Sequence, residues 1–120
     1  MDQINYSSNI VSLSDSKVGS NAKINYLEVK KAAAILRAIN HKLRQSIIKL
    51  LEEKSNLTVT EIYVKLRVEQ SVASQHLAIL RRAEIVKTNR EGKNIHYNLN
   101  VPRLEEVNKF VKDLLTEDEE

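Results

Sequence analysis

Thr58-Val59-Thr60-Glu61-Ile62-Tyr63-Val64-Lys65-Leu66-Arg67-Val68-Glu69-Gln70-Ser71-Val72-Ala73-Ser74-Gln75-His76-Leu77-Ala78-Ile79-Leu80 is the stretch on which the fold turns. Thr58 and Glu61 have the spacing of a capping box, in which hydroxyl and carboxylate each accept from the other residue's backbone N–H. A short helix carrying Ile62, Tyr63 and Leu66 is therefore expected. Arg67-Val68-Glu69 is a tight turn. A second helix, Gln70 to about Ala83, sets Ala73, Leu77 and Leu80 at helical spacing on one buried face. That leaves Gln70, Ser71, Ser74, Gln75 and Ala78 outward. Two short helices separated by about three residues are a helix-turn-helix signature.

Upstream, two more helices are expected. Leu27 to Ile39 places Val29, Ala32, Ala33, Leu36 and Ile39 at helical spacing. Lys42 to Lys54 turns Leu43, Ile47, Leu50 and Leu51 inward, with Lys49, Glu52 and Glu53 outward. Downstream the period changes. Ile85 to Asn89 and Asn94 to Leu99 are strand-like, and Arg90-Glu91-Gly92-Lys93 between them forms the turn of a hairpin. Asn100 is positioned to cap a last helix, with Pro102 in its first turn. In that helix Leu104, Val107, Val111 and Leu114 recur at near-heptad spacing, beside Phe110 and Leu115. A terminal helix this apolar needs a partner surface. The fold class is mainly α with a small β-hairpin, hence α+β.

Three segments follow. Residues 1–25 are rich in Ser and Asn without sustained helical period, and are expected as a flexible arm with a short strand possible at Ile10-Val11-Ser12-Leu13. Residues 26–115 are the folded domain, and 116–120 an acidic tail. Residues 26–115 carry a charge of +7, the tail −4 and the arm none, leaving the overall +3. A basic body suits a polyanionic partner such as nucleic acid.

Several classes are disfavoured. Cysteine is absent, which removes disulfides, thiolate metal sites and cysteine nucleophiles. No apolar run reaches transmembrane length, and the amino terminus lacks the pattern of a secretory signal. The cytoplasm is the expected compartment. The three histidines, His41, His76 and His96, fall in three different elements without paired carboxylates, and two glycines cannot build a phosphate-cradling loop. The expectation is a protein that is not an enzyme and needs no cofactor.

From Ile35 to Leu99, more than half its length, the chain resembles the ArsR/SmtB family of winged-helix repressors. The resemblance is carried by Leu36-Arg37-Ala38-Ile39-Asn40, Arg44-Gln45-Ser46-Ile47-Ile48-Lys49-Leu50-Leu51 and Leu57-Thr58-Val59-Thr60-Glu61-Ile62. It continues through Gln70 to Leu77, Leu80-Arg81-Arg82-Ala83-Glu84-Ile85-Val86 and Arg90 to Tyr97. Two departures stand out. Where the family often has Asp-Pro-Thr-Arg, this chain has His41-Lys42-Leu43-Arg44, and Glu84 replaces the usual glycine after the second helix of the motif.

The resemblance implies that the helix from Gln70 to Ala83 lies in a DNA major groove. Amides and small hydroxyls there can reach bases and phosphates, and Gln can pair bidentately with adenine. Gln70, Ser71, Ser74 and Gln75 are the expected groove contacts. His76 borders the buried face, and either a DNA contact or a packed neutral histidine fits it. Arg90 and Lys93 at the hairpin tip are expected on the DNA backbone or minor groove; Arg81 and Arg82, late in the helix, fit either phosphate contacts or pairing with Glu84 and its neighbours; Arg44 and Lys65 fit less well. The resemblance also implies a homodimer formed by the first and last helices, with Leu27, Leu36, Leu104, Val107, Val111 and Leu114 at the interface, binding double-stranded DNA at an imperfect palindrome. The alternative is a winged-helix module that binds protein through the same face. A metal sensor of the family's usual kinds is not expected. The cysteine positions of one kind match Thr58 and Thr60, poor ligands for soft ions. The zinc positions of another match Val101, Arg103, Leu114 and Glu117, of which only one can coordinate.

Overall fold

A computed structural model describes residues 22–116; the arm before them, with the strand considered at 10–13, and the acidic residues 117–120 lie outside the described residues. The elements are α1 (Tyr26–Ile39), α2 (Lys42–Glu53), β1 (Leu57–Thr58), α3 (Val59–Leu66), α4 (Gln70–Arg82), β2 (Val86–Glu91), β3 (Asn94–Leu99) and α5 (Val101–Leu115). The chain divides into two units between Ile35 and Leu36. The first contains most of α1, and everything below concerns the second unless stated.

The core follows the spacing of the apolar residues. Ile47, Leu50 and Leu51 of α2, Ile62 of α3, Ala73, Leu77 and Leu80 of α4, then Ile85 and Val86, are all buried. Each large side chain among them contributes roughly 1.5–3 kcal/mol by leaving water. The helix-turn-helix expected from the sequence is present as α3, a three-residue turn and α4.

The β structure is larger than a hairpin. Leu57–Thr58 adds a third, antiparallel strand, giving the order β1-β3-β2 with Leu57 opposite Tyr97 and Thr58 opposite His96. Two residues carry no readable period; their strand state is imposed by the open edge of β3. The turn is also tighter than the four residues expected. Arg90 and Glu91 belong to β2, Glu91 pairs with Asn94, and only Gly92 and Lys93 remain between the strands. Gly92 has φ +68, as a two-residue turn compatible with strand twist requires.

Asn100 does not cap α5 with its side chain, as the sequence suggested. Its Nδ2 donates instead to the Glu84 carbonyl at 2.9 Å, and its N–H donates to the Ile85 carbonyl at 2.9 Å. Both bonds tie the start of α5 to the segment that ends α4.

Candidate nucleic-acid interface

Local chemistry holds α3 and α4 at fixed ends. Thr58 Oγ1 accepts from Glu61 N–H at 3.2 Å, and Glu61 Oε1 accepts from Thr58 N–H at 2.9 Å. The Thr58 hydroxyl is thus committed to the cap. At the other end of α3, Arg67 N–H donates to Val64 O and Val68 N–H to Tyr63 O. This is a Schellman closure, with Arg67 in the left-handed position at φ 60. The end of α4 repeats it. Glu84 N–H donates to Arg81 O, Ile85 N–H to Leu80 O, and Glu84 has φ 62. The residue that replaces the resemblance's glycine therefore keeps the backbone conformation that glycine favours.

On α4, Gln70, Ser71, Ser74 and Gln75 are exposed on the face opposite Ala73, Leu77 and Leu80. Glu69 precedes the helix without a side-chain cap bond, so side chains leave the first amide donors of α4 free for an anion. Arg81 and Arg82 are exposed in the last turn, and Arg90 and Lys93 are exposed on the hairpin.

His76 is half-buried. Its Nδ1 lies 3.0 Å from Arg44 Nη1, and its ring centroid lies 4.7 Å from that of His41. Burial, then the neighbouring His41 and Arg44, hold His76 below the usual imidazole range. Arg44 is buried and donates through Nε to Ala38 O at 2.6 Å and through Nη2 to Arg37 O at 3.2 Å. It thereby satisfies carbonyls in the last turn of α1, and it is a packing residue rather than a groove contact. His41 caps α2: its Nδ1 accepts from Leu43 N–H at 3.1 Å and Arg44 N–H at 3.5 Å. The imidazole occupies the place where the resemblance has an aspartate.

The sequence reading did not find the anchor of the hairpin. Asn98 Oδ1 accepts from Asn56 N–H at 2.8 Å, and Asn98 Nδ2 donates to Asn56 Oδ1 and Asn89 Oδ1, each at 3.1 Å. Glu91 Oε2 accepts from Asn56 Nδ2 and Asn89 Nδ2, also at 3.1 Å, and these bonds lower its pKa. The only signal was the presence of asparagines in strands, where they are otherwise disfavoured.

The helices outside this core are short of partners. No side chain of α5 is buried. Leu36 and Ile39 at the end of α1, Ile48 of α2, and Leu104, Val107 and Val111 of α5 line an open groove of about 360 Å³. Leu114 is 66% exposed. In the first unit, Leu27 is 61% exposed. Arg103 pairs with Glu84 at 3.2 Å and Glu106 at 3.5 Å. Among the described residues no helix is long and apolar enough to cross a membrane.

Known proteins agree with this architecture. The sequence profile described as "Bacterial regulatory protein, arsR family" matches residues 41–88. The transcriptional repressor PagR of Bacillus anthracis is 34% identical over 92 residues, spanning 77% of this chain and 92% of PagR. The crystal structure of PagR superposes with a TM-score of 0.59 at 33% identity, covering 72% of this chain and 99% of that one. A homodimeric winged helix-turn-helix DNA-binding domain, Mb0332 of Mycobacterium bovis, shares the fold at a TM-score of 0.60 and 24% identity, over 73% of this chain and 83% of that one. The chain belongs to the arsR family of bacterial regulatory proteins and has their winged helix-turn-helix fold. The family consists of transcriptional regulators, not enzymes.

Proposed function

We propose that the protein is a homodimeric, sequence-specific repressor that binds an imperfect palindrome in double-stranded DNA. The observation that carries this reading is the exposed amide and hydroxyl face of α4, Gln70, Ser71, Ser74 and Gln75, on the second helix of a helix-turn-helix. These groups suit base edges. Arg81, Arg90 and Lys93 suit phosphates, and their exposure supports that role. His76 adds a contact at the edge of the same face. The repressor assignment is supported by the similarity to PagR.

A dimer is supported by α5, whose apolar residues are at most half-buried, and by the groove it forms with the end of α1 and α2. Leu27, Leu36, Leu104, Val107, Val111 and Leu114 would meet the second copy; the Mycobacterium bovis domain of the same fold is itself homodimeric. Symmetric dimers read inverted half-sites about one helical turn apart. A protein-docking role for the same face is less well supported, because apolar or acidic side chains would suit it and amide, hydroxyl and basic ones are present.

The test is selection of bound fragments from a genomic library, sequencing, and gel shift on the enriched duplex. An inverted repeat is expected. No enrichment over input at low salt, with the protein folded, would overturn the reading. Control by metal is not part of it. Thr58 is held in its cap and Arg103 in two ion pairs, so zinc, cadmium or arsenite should leave the protein–DNA complex intact.

A further inference from the structure

We propose that Arg44 is a positioning residue for DNA recognition, fixing His76 in the tautomer protonated on Nε2 and so making His76 a hydrogen-bond donor to an acceptor on the duplex. The proposal rests on the reading of α4 as the groove helix. Guanidinium groups only donate. With Arg44 Nη1 at 3.0 Å, His76 Nδ1 must be the accepting nitrogen. A neutral imidazole has one donor and one acceptor nitrogen, so the proton sits on Nε2. Nε2 has no protein partner and is not among the buried unsatisfied atoms, so it meets solvent.

Arg44 cannot easily turn away. Its Nε and Nη2 are held by Ala38 O and Arg37 O, and the side chain is buried. His41, against the other ring, commits its own Nδ1 lone pair to the Leu43 and Arg44 N–H groups. The charged and titratable groups facing His76 are thus Arg44 of α2 and His41, the residue that caps it, and both oppose a proton on His76. The ring remains neutral, with a single outward donor. Such a donor suits a phosphate oxygen or guanine O6 and N7, and cannot accept from an adenine or cytosine amino group. Arg44, itself away from the groove, links the last turn of α1 to the helix that reads the DNA.

The tautomer is read in the free, full-length protein by long-range ¹H–¹⁵N correlation of the histidine rings near neutral pH. The Nε2–H pattern is expected for His76, and Arg44→Lys, which cannot span all three acceptors, should convert it to a mixture. Where Arg44→Lys does not fold, two His76 variants decide. His76→Leu should lose about three- to tenfold in affinity, the worth of one net hydrogen bond. His76→Gln keeps an acceptor for Arg44 and a donor for DNA, and should stay within about twofold of the unsubstituted chain. Both are measured on the selected duplex and on a scrambled duplex of equal length. Loss on both identifies a phosphate acceptor, and loss on the selected duplex alone identifies a base; either supports the proposal. An Nδ1–H pattern in the unsubstituted chain would overturn it, as would His76→Leu binding as tightly as that chain on both duplexes. A chain that binds neither duplex refutes the DNA reading instead, and the spectrum, recorded without DNA, still decides the part played by Arg44.

Discussion

Among the described residues, three other than glycine hold left-handed backbone: Asn56, Arg67 and Glu84. Asparagine tolerates this conformation, whereas arginine and glutamate pay about 1–2 kcal/mol for it. Arg67→Gly should therefore stabilise the protein by about 0.5–1 kcal/mol after the added freedom of the unfolded chain is subtracted. Thermal unfolding followed by circular dichroism should show a higher midpoint. Glu84→Gly should gain less, because it also removes the ion pair with Arg103. Histidine chemistry gives stability a pH dependence. His76 has a folded pKa below its ordinary value, so the unfolded chain takes up protons first on acidification. The contribution is present above about pH 6.5, the unperturbed value, and is lost as the pH falls through the lowered one. Unfolding midpoints measured from neutral pH downward should drop, and His76→Gln should flatten part of that slope. A midpoint unchanged over this range in the unsubstituted chain would contradict the assignment.

At the scale of elements, the contacts should divide by chemistry. Ser71→Ala and Gln75→Ala on α4 should narrow the gap between selected and scrambled duplexes, by roughly 1–3 kcal/mol where a base contact is bidentate. Arg90→Ala and Lys93→Ala on the hairpin should weaken binding to both duplexes and flatten the dependence on salt, each by about one phosphate's worth. Gel shifts across a salt series separate the two patterns, and hairpin variants that bind like the unsubstituted chain at every salt concentration would remove Arg90 and Lys93 from the interface. Much of this layout was legible because its signals are local. Thr58 and Glu61 announce the start of α3 through their spacing. Ala73, Leu77 and Leu80 fix the buried face of α4 and thereby the exposed one. What escaped depends on residues far apart in sequence. Leu57–Thr58 becomes a strand only because β3 offers an edge. Asn100 has the composition of a cap, but the Glu84 carbonyl captures its amide. Arg44 and His76 are 32 positions apart, and no periodicity could pair them.

At the scale of the molecule, α5 carries most of the proposed dimer interface. Leu114 is exposed in the single chain, so Leu114→Asp should leave the monomer fold intact while placing a charge in the proposed interface. Sedimentation at micromolar concentration should show a dimer for the unsubstituted chain and a lower mass for the variant, with DNA affinity falling alongside. A monomer in both cases would exclude the dimer. The short strand β1 has a different reach. Asn56 and Asn98, 42 positions apart, are joined beside the Leu57–Tyr97 pair, and the whole of α3 and α4 lies on the closed loop between them. Amide protons of the β1–β3 ladder and of α4 should consequently exchange with deuterium as one cooperative unit, slower than those of the exposed α5, because a loop pinned at its base leaves α4 less conformational freedom to gain by opening.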